Sequence, residues 1–246
     1  MNTVETKEVI TTCDKCGKDY LKETIRLSGA LLLTPDKCEF CIIEDDEADS
    51  AQRNEDSSRS LWDRVVPLAY RETDINHTDF PTSVNGVCQD WVRGDGVPNQ
   101  DKLLMLGLIG ESGIGKTRVV SQVVKRIIWD NHGFPHTGNA LTWANSSQYQ
   151  WACQNQFNDS EKYKASEFLK KCRNANYLVM DDIGSLKSTE VISDNLYSLI
   201  EHRTTNNLPM IWTSNEYLEE MMPRLGEKPR KRITSRLAGF SNIINF

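Results

Sequence analysis

The chain has 246 residues, of which 38% are hydrophobic and 26% are charged, and its formal net charge is -6. This length allows one full α/β domain with a small module beside it, and the composition excludes disorder throughout. The longest apolar run, residues 103–109, is far shorter than the roughly 18 residues of a membrane span. The acidic balance excludes coating of nucleic acid by bulk charge alone. The N-terminus is polar and carries acids, unlike a secretory signal, so we expect a cytoplasmic protein.

Four of the seven cysteines form two close pairs near the N-terminus, Cys13 with Cys16 and Cys38 with Cys41. This C-x₂-C…C-x₂-C spacing lets four thiolates close tetrahedrally on one Zn²⁺. A segment of about 40 residues buries too little apolar surface to fold alone, so the metal would supply its stability. We therefore predict a zinc-binding module over residues 1–43, with redox chemistry or free thiols as the alternatives. Residues 31–33, three leucines, would fill its small core or dock on a partner.

The rest of the chain divides into a linker and a large domain. The acidic stretch over residues 44–60 contains no large apolar residue, which predicts a flexible linker because nothing there can form a core. The large domain then covers residues 61–246. Its apolar patterns predict strands over 103–109, 141–144, 177–180 and 210–213, and helices over 116–129, 146–173 and 189–205. This alternation predicts an α/β fold with a parallel sheet covered by helices on both faces.

A phosphate-binding loop lies between the first predicted strand and the helix that follows it. The sequence there matches G-x-x-x-x-G-K-[ST], in which backbone N–H groups and the helix N-terminus surround phosphate oxygens. The lysine would reach the β- and γ-phosphates and the threonine would bind Mg²⁺. The alternative is a glycine-rich turn that matches by chance. The predicted nucleotide-binding residues are Gly110, Glu111, Ser112, Gly113, Ile114, Gly115, Lys116, Thr117 and Arg118.

Polar side chains end the next two strands of the predicted sheet. Asp181 and Asp182 follow residues 177–180 in a Walker B arrangement, in which Asp181 would hold Mg²⁺ and Asp182 would orient or deprotonate the attacking water. Asn215 follows the strand over 210–213 and would position the same water. The alternative is that the acids and the amide only form turns at the strand ends.

Two further patterns suggest contact with a partner. A basic segment near the C-terminus would offer an arginine to the γ-phosphate of a neighbouring subunit, contact a nucleic-acid backbone, or form a solvated face. An aromatic segment would stack on bases of a single strand, although packing of helices on the sheet is the favoured explanation. The basic residues are Arg224, Lys228, Arg230, Lys231, Arg232 and Arg236, and the aromatic ones are Trp143, Tyr149, Trp151, Phe157 and Tyr163.

The order of these motifs resembles the DnaC/IstB group of AAA+ ATPases over residues 66–246. The resemblance is carried by the phosphate loop, by Met-Asp-Asp-Ile-Gly at 180–184, by Ile-Trp-Thr-Ser-Asn at 211–215 and by Arg-Ile-Thr-Ser-Arg-Leu at 232–237. It implies an AAA+ P-loop fold with ATP or ADP and Mg²⁺ as ligands. It also implies that Asn215 is sensor 1. An arginine of the last motif, with Arg236 favoured over Arg232, would act in trans after self-assembly through the ATP site.

The function that this resemblance implies is a bacterial or phage replicative helicase loader. Such a protein binds the hexameric helicase through its N-terminal region and helps place it on single-stranded DNA in the bacterial cytoplasm. Asp182 stands where AAA+ proteins usually have glutamate, so we expect slow hydrolysis of ATP. The alternatives are a transposition-helper ATPase that assembles on target DNA and an adaptor that uses nucleotide only as a switch.

Overall fold

The computed structural model describes residues 4–27, 30–31, 36–77, 80–92, 104–134, 139–187, 189–221 and 227–246. The chain divides into two compact units, Met1–Asp56 and Ser57–Phe246. Among the described residues, no helix is long and apolar enough to cross a membrane.

The first unit contains an antiparallel hairpin followed by a helix. Strand β1 (Val4–Thr12) pairs with β2 (Asp19–Leu27), and β2 pairs with the short β3 (Ala30–Leu31). Between β1 and β2 the chain turns through Gly17, whose φ of 71° favours glycine and whose N–H donates to the Cys13 carbonyl at 2.8 Å. Residues 32–33, the second and third of the predicted core leucines, lie outside the described residues.

The predicted linker is helical. Helix α1 (Glu39–Val65) includes all of residues 44–60, and the boundary between the two units falls inside it, after Asp56. The prediction of a flexible linker over residues 44–60 did not anticipate this helix, because it considered only the missing apolar residues. The stretch also lacks the strongest helix breakers, glycine and proline, and the β-branched residues, so a helix is compatible with it. Toward its C-terminal end α1 buries Leu61 and Trp62, which supplies tertiary packing.

The second unit is built on a parallel sheet of five strands. The strands are β4 (Met105–Ile109), β5 (Leu141–Asn145), β6 (Tyr177–Asp181), β7 (Met210–Ser214) and β8 (Ser241–Asn245), in the order β5-β6-β7-β4-β8. Every pairing between neighbours is parallel. The first four strands confirm the predicted ones, and β8 was not predicted. Because the strands are parallel, the phosphate loop after β4 and the acids after β6 lie at one edge of the sheet.

Helices surround this sheet. They are α2 (Leu68–Arg71), α3 (Thr82–Val92), α4 (Lys116–Asp130), α5 (Ser146–Asn155), α6 (Lys162–Asn174), α7 (Glu190–Thr205) and α8 (Glu227–Phe240), with a 3₁₀ turn at Ile183–Ser185. The single helix predicted over 146–173 is two helices. Between them Asn158 accepts hydrogen bonds from the Ser160 N–H and hydroxyl, which favours a turn over a continuous helix.

Two apolar cores lie on opposite faces of the sheet, as strand β4 illustrates. Met105 and Ile109 belong to one core, whereas Leu106 and Leu108 belong to the other. Alternation of this kind is what a parallel strand buried on both faces requires. At Gly107 an added Cβ would lie 2.3 Å from the Trp212 ring, so glycine is needed there. The prediction of an α/β fold with a parallel sheet covered on both faces is confirmed.

Candidate nucleotide-binding site

A cavity of about 570 Å³ opens at the carboxyl edge of the sheet, within the second unit. Its lining combines the phosphate loop with the ends of β6 and β7, as the sequence predicts. The lining residues are Tyr70, Ser112, Gly113, Gly115, Lys116, Thr117, Arg118, Asp181, Asp182, Thr213 and Asn215.

The phosphate loop connects β4 to α4 through a backbone that glycine makes possible. Gly113 and Gly115 have φ angles of 85° and 105°, which L side chains rarely adopt. Gly115 is also the residue before helix α4, and an added Cβ there would lie 3.2 Å from Pro81. Helix α4 therefore begins in the cavity lining, at Lys116, where the helix dipole favours an anionic ligand.

Lys116 is held inside this loop by three oxygen acceptors. Its ammonium Nζ donates to the carbonyls of Gly110 at 2.7 Å and Glu111 at 2.8 Å, and to the Asn215 side-chain oxygen at 2.8 Å. Only 6% of the residue is exposed. Burial lowers the pKa of Lys116, against the opposing charges of Asp182 and Asp181. The Lys116 ammonium therefore lies at the phosphate loop, in the lining of the cavity.

Asp181 is the acceptor for two threonine hydroxyls. Thr117 donates to its Oδ1 at 3.1 Å and Thr213 donates to the same oxygen at 2.8 Å. Burial raises the pKa of Asp181, and the two hydroxyl donors partly offset that shift. The Thr117 hydroxyl and the Asp181 carboxylate are hard oxygen ligands of the kind that Mg²⁺ prefers, so the residues present fit this ion. Both predicted magnesium ligands thus lie within hydrogen-bond distance of each other.

Asp182 has an unusual backbone and a fully engaged carboxylate. Its φ is 60°, a left-handed conformation that aspartate adopts more often than most residues. Oδ1 accepts from the Asn215 amide at 3.0 Å and Oδ2 accepts from the Ser185 hydroxyl at 2.5 Å. Its N–H donates to the Thr213 hydroxyl at 2.7 Å. These contacts fix the carboxylate beside the cavity.

Asn215 links the phosphate loop to the Walker B acids. Its oxygen accepts from Lys116 while its nitrogen donates to Asp182, so one amide connects both charged groups. The structure therefore brings together Lys116, Asn215 and Asp182, which the sequence placed in separate motifs. Sequence reasoning did not find Thr213, Ser185 and Tyr70. A hydroxyl at the end of a strand would have been a usable signal for Thr213, but the other two positions have no motif.

The two candidate arginines lie on α8 against α7, away from the cavity lining. Arg236 Nη2 is 2.9 Å from one carboxylate oxygen of Glu201 and 3.1 Å from the other. The Arg232 guanidinium lies 4.0 Å from the centre of the Tyr197 ring. A role for either arginine requires the cavity of another molecule, so this role stays a prediction. In the basic segment, Arg224 lies outside the described residues, as does the Lys228 side chain.

The aromatic segment divides into buried and exposed rings. Trp143 and Tyr149 are buried, as the packing explanation predicts. Trp151, Phe157 and Tyr163 are exposed, so packing on the sheet does not account for them.

The four N-terminal cysteines come together in the first unit. All four Sγ atoms lie within 4.8 Å of one another, and the Cys38 N–H donates to Cys13 Sγ at 3.3 Å. Burial raises the pKa of Cys13, but hydrogen bonds from neighbouring backbone groups outweigh it and lower the pKa to about 6. Burial raises the pKa of Cys41 to about 12. Four sulfurs this close cannot all ionise without a cation, and their number and spacing fit tetrahedral zinc.

Comparison with known proteins agrees with this geometry. Residues 105–224 match the AAA domain family, dynein-related subfamily. No curated protein matches the chain. Similar solved structures include a protein assigned as a primosome component of Streptococcus pyogenes serotype M3, DnaI, and the replication initiator DnaA bound to AMPPCP and single-stranded DNA.

The likeness to these structures extends over most of the chain at low sequence identity. The primosome component is 19% identical with a TM-score of 0.54, and the alignment covers 76% of this chain and 94% of that one. For DnaI the values are 18%, 0.52, 76% and 93%. For DnaA they are 15%, 0.52, 74% and 50%, so this chain matches about half of DnaA. At sequence identities this low, the structural similarity establishes a common fold and no more.

The fold and the site define an ATPase-type nucleotide-binding protein with the AAA P-loop fold. The match to the AAA domain over residues 105–224 and the shared fold are consistent with the resemblance found in the sequence.

Proposed function

We propose that this protein is an ATP-dependent loader that binds a hexameric replicative helicase and helps place it on single-stranded DNA in the cytoplasm of a bacterial cell. The observation that carries the proposal is the hydrogen-bonded connection from Lys116 through Asn215 to Asp182, beside the Asp181 and Thr117 pair. A protein that only binds nucleotide needs the loop alone. Carboxylates beside the loop are what hydrolysis uses in addition, to hold Mg²⁺ and to orient the attacking water.

Each residue of the cavity has a part in the proposed hydrolysis. Lys116 and the loop amides bind the phosphates, and Thr117 with Asp181 holds Mg²⁺. The metal ion, when bound, neutralises charge on the phosphate oxygens. Asp182 accepts a proton from the attacking water, and Asn215 orients that carboxylate through the bond seen at 3.0 Å. Asp182 is one methylene shorter than glutamate, which supports slow turnover that a partner or DNA stimulates.

The first unit is proposed to be a structural zinc module that docks on the helicase. Four cysteine ligands leave no open position at the metal, so a structural role is favoured over catalysis. Docking is supported by exposed apolar side chains on its hairpin. Ile10 and Leu21 face each other across β1 and β2 and are 72% and 64% exposed. Contiguous exposed apolar surface is typical of contact sites, and this pair would contribute to such a surface.

A role in replication is supported by the kinds of protein that share the fold. DnaI, a primosome component and DnaA are the neighbours described above. Single-stranded DNA is proposed as a ligand of this chain on the same grounds, and the exposed aromatic rings Trp151, Phe157 and Tyr163 are available for stacking on bases. Self-assembly through the ATP site is part of the proposal because Arg236 lies away from the cavity of its own chain.

The experiment that tests the proposal is light scattering on size-exclusion chromatography of the protein mixed with the replicative helicase of its host, with and without ATP and Mg²⁺. We expect a defined complex whose stoichiometry changes with ATP, and no ATP response from Lys116→Ala. Assembly on duplex DNA without a helicase complex would instead favour the transposition helper. A helicase complex that responds to ATP with no hydrolysis would favour the nucleotide-switched adaptor.

A further inference from the structure

An ion pair between α7 and α8 holds Arg236 at the surface of the second unit. The Arg236 Nη2 atom is 2.9 Å from Glu201 Oε2 and 3.1 Å from Oε1. The two side chains are 37% and 39% exposed, so the pair is reachable from outside. The Arg236 guanidinium is also 5.9 Å from the centre of the Phe240 ring. One nitrogen of the guanidinium is engaged with Glu201, and the group has five N–H donors in all.

Arg232, one turn earlier on the same helix, is held differently. Its guanidinium lies 4.0 Å from the Tyr197 ring centre, a distance at which the cation contacts the ring face. Tyr197 therefore covers one side of the planar group. Glu201 contacts Arg236 at one nitrogen, and the Phe240 ring centre lies 5.9 Å from this guanidinium, farther than the Tyr197 ring centre lies from that of Arg232. The two contacts favour Arg236 as the arginine that can reach another molecule.

We propose that Glu201 is a positioning residue that orients Arg236 toward the phosphate of a nucleotide bound by a second copy of this chain. The inference rests on the proposed function, in which Arg236 acts in trans. A long side chain that is free in solution loses rotamer freedom when it binds an anion, and a side chain already held by a neighbour loses less. Glu201 supplies that restraint from α7, a helix anchored in the core by Leu196 and Ile200.

Complementation between two inactive variants tests this proposal. Arg236→Ala keeps an intact ATP site but lacks the arginine, and Lys116→Ala keeps the arginine but lacks the loop lysine. ATPase activity recovered on mixing them reports an arginine donated by the Lys116→Ala chain. We expect Glu201→Gln, added to the Lys116→Ala donor, to lower the recovered activity about three- to tenfold, the rate effect of ordering one long side chain.

Two controls separate positioning from a structural effect. Glu201→Gln placed in the Arg236→Ala acceptor is expected to leave the recovered activity unchanged, because that chain donates no arginine. Asp194→Asn in the donor removes one exposed carboxylate from the same helix and is expected to have no effect. Exposed ion pairs stabilise proteins little, so circular dichroism melting of each variant is expected to match its parent.

The outcomes of these experiments distinguish the role of Glu201 from the trans role of Arg236, on which it depends. No recovered activity from the Arg236→Ala and Lys116→Ala mixture would overturn the trans arginine and the role of Glu201 together. Full recovery with a Glu201→Gln donor would overturn Glu201 alone and leave the trans arginine in place. An equal loss when Glu201→Gln is in the acceptor would also overturn positioning.

Discussion

The Thr213 hydroxyl connects both Walker B acids, and its removal gives the sharpest test of the site geometry. Thr213 is buried, accepts from the Asp182 N–H at 2.7 Å and donates to Asp181 Oδ1 at 2.8 Å. Thr213→Val keeps nearly the same volume while it removes both bonds. An unpartnered buried N–H costs about 1–3 kcal/mol, and the lost donor to the partly buried carboxylate costs about 1.5 kcal/mol.

These terms predict that Thr213→Val lowers the free energy of unfolding by about 3 kcal/mol. Loss of the Thr213 hydroxyl is also expected to raise the pKa of Asp181 further. In the wild-type protein burial raises this pKa, and the Thr213 and Thr117 hydroxyls partly offset the shift. Urea unfolding of the full chain, followed by tryptophan fluorescence, measures the stability. Thr213→Ser keeps the hydroxyl and is the matched control. A Thr213→Val variant within about 0.5 kcal/mol of the wild type, or a Ser variant as unstable as the Val variant, would refute this account.

Three further predictions concern the ATP site, the sheet support and the cysteine cluster. Asp182→Asn is expected to keep ATP binding, measured by fluorescent-nucleotide titration, while hydrolysis falls about 100-fold or more; an unchanged rate would remove Asp182 from the mechanism. Arg203 is fully buried and donates to the carbonyls of Cys172 and Ala175, each at 3.0 Å. Because lysine lacks the planar guanidinium that makes both bonds, Arg203→Lys is expected to lower the free energy of unfolding by about 2–4 kcal/mol. A thermal melt like that of the wild type would contradict this expectation. Elemental analysis is expected to find one zinc per chain and none in Cys41→Ser, and a folded metal-free wild type would exclude the site.

The sequence predicted the site best where a motif and a strand end coincide. The phosphate loop, Asp181 and Asn215 each follow a buried parallel strand, and parallel strands bring their carboxyl ends to one edge without further information. The bond from Ser185 to Asp182 and the place of Tyr70 in the cavity lining could not be predicted, because they depend on how a turn and a short helix pack. The acceptors of Arg203 were equally hidden, since they are main-chain carbonyls at the end of another helix.

The fold was least predictable where hydrophobic pattern and structure disagree. Residues 44–60 have no apolar face, yet they are helical within α1, where propensity needs no core of its own. Strand β8 has only Ile243 and Ile244 as apolar residues and follows α8 directly. Its pairing with β4 joins positions far apart in sequence, which no local pattern contains.

Loading of the helicase onto circular single-stranded DNA tests the proposed function, because a circle offers no end for a closed hexamer to thread. The host helicase is incubated with the circle, ATP and Mg²⁺, with the wild-type protein or with Lys116→Ala, and the helicase retained on the circle after gel filtration is measured. If the protein is a loader, we expect retention with the wild-type protein, and for Lys116→Ala we expect retention no higher than with helicase alone. Equal retention with and without the wild-type protein would contradict it.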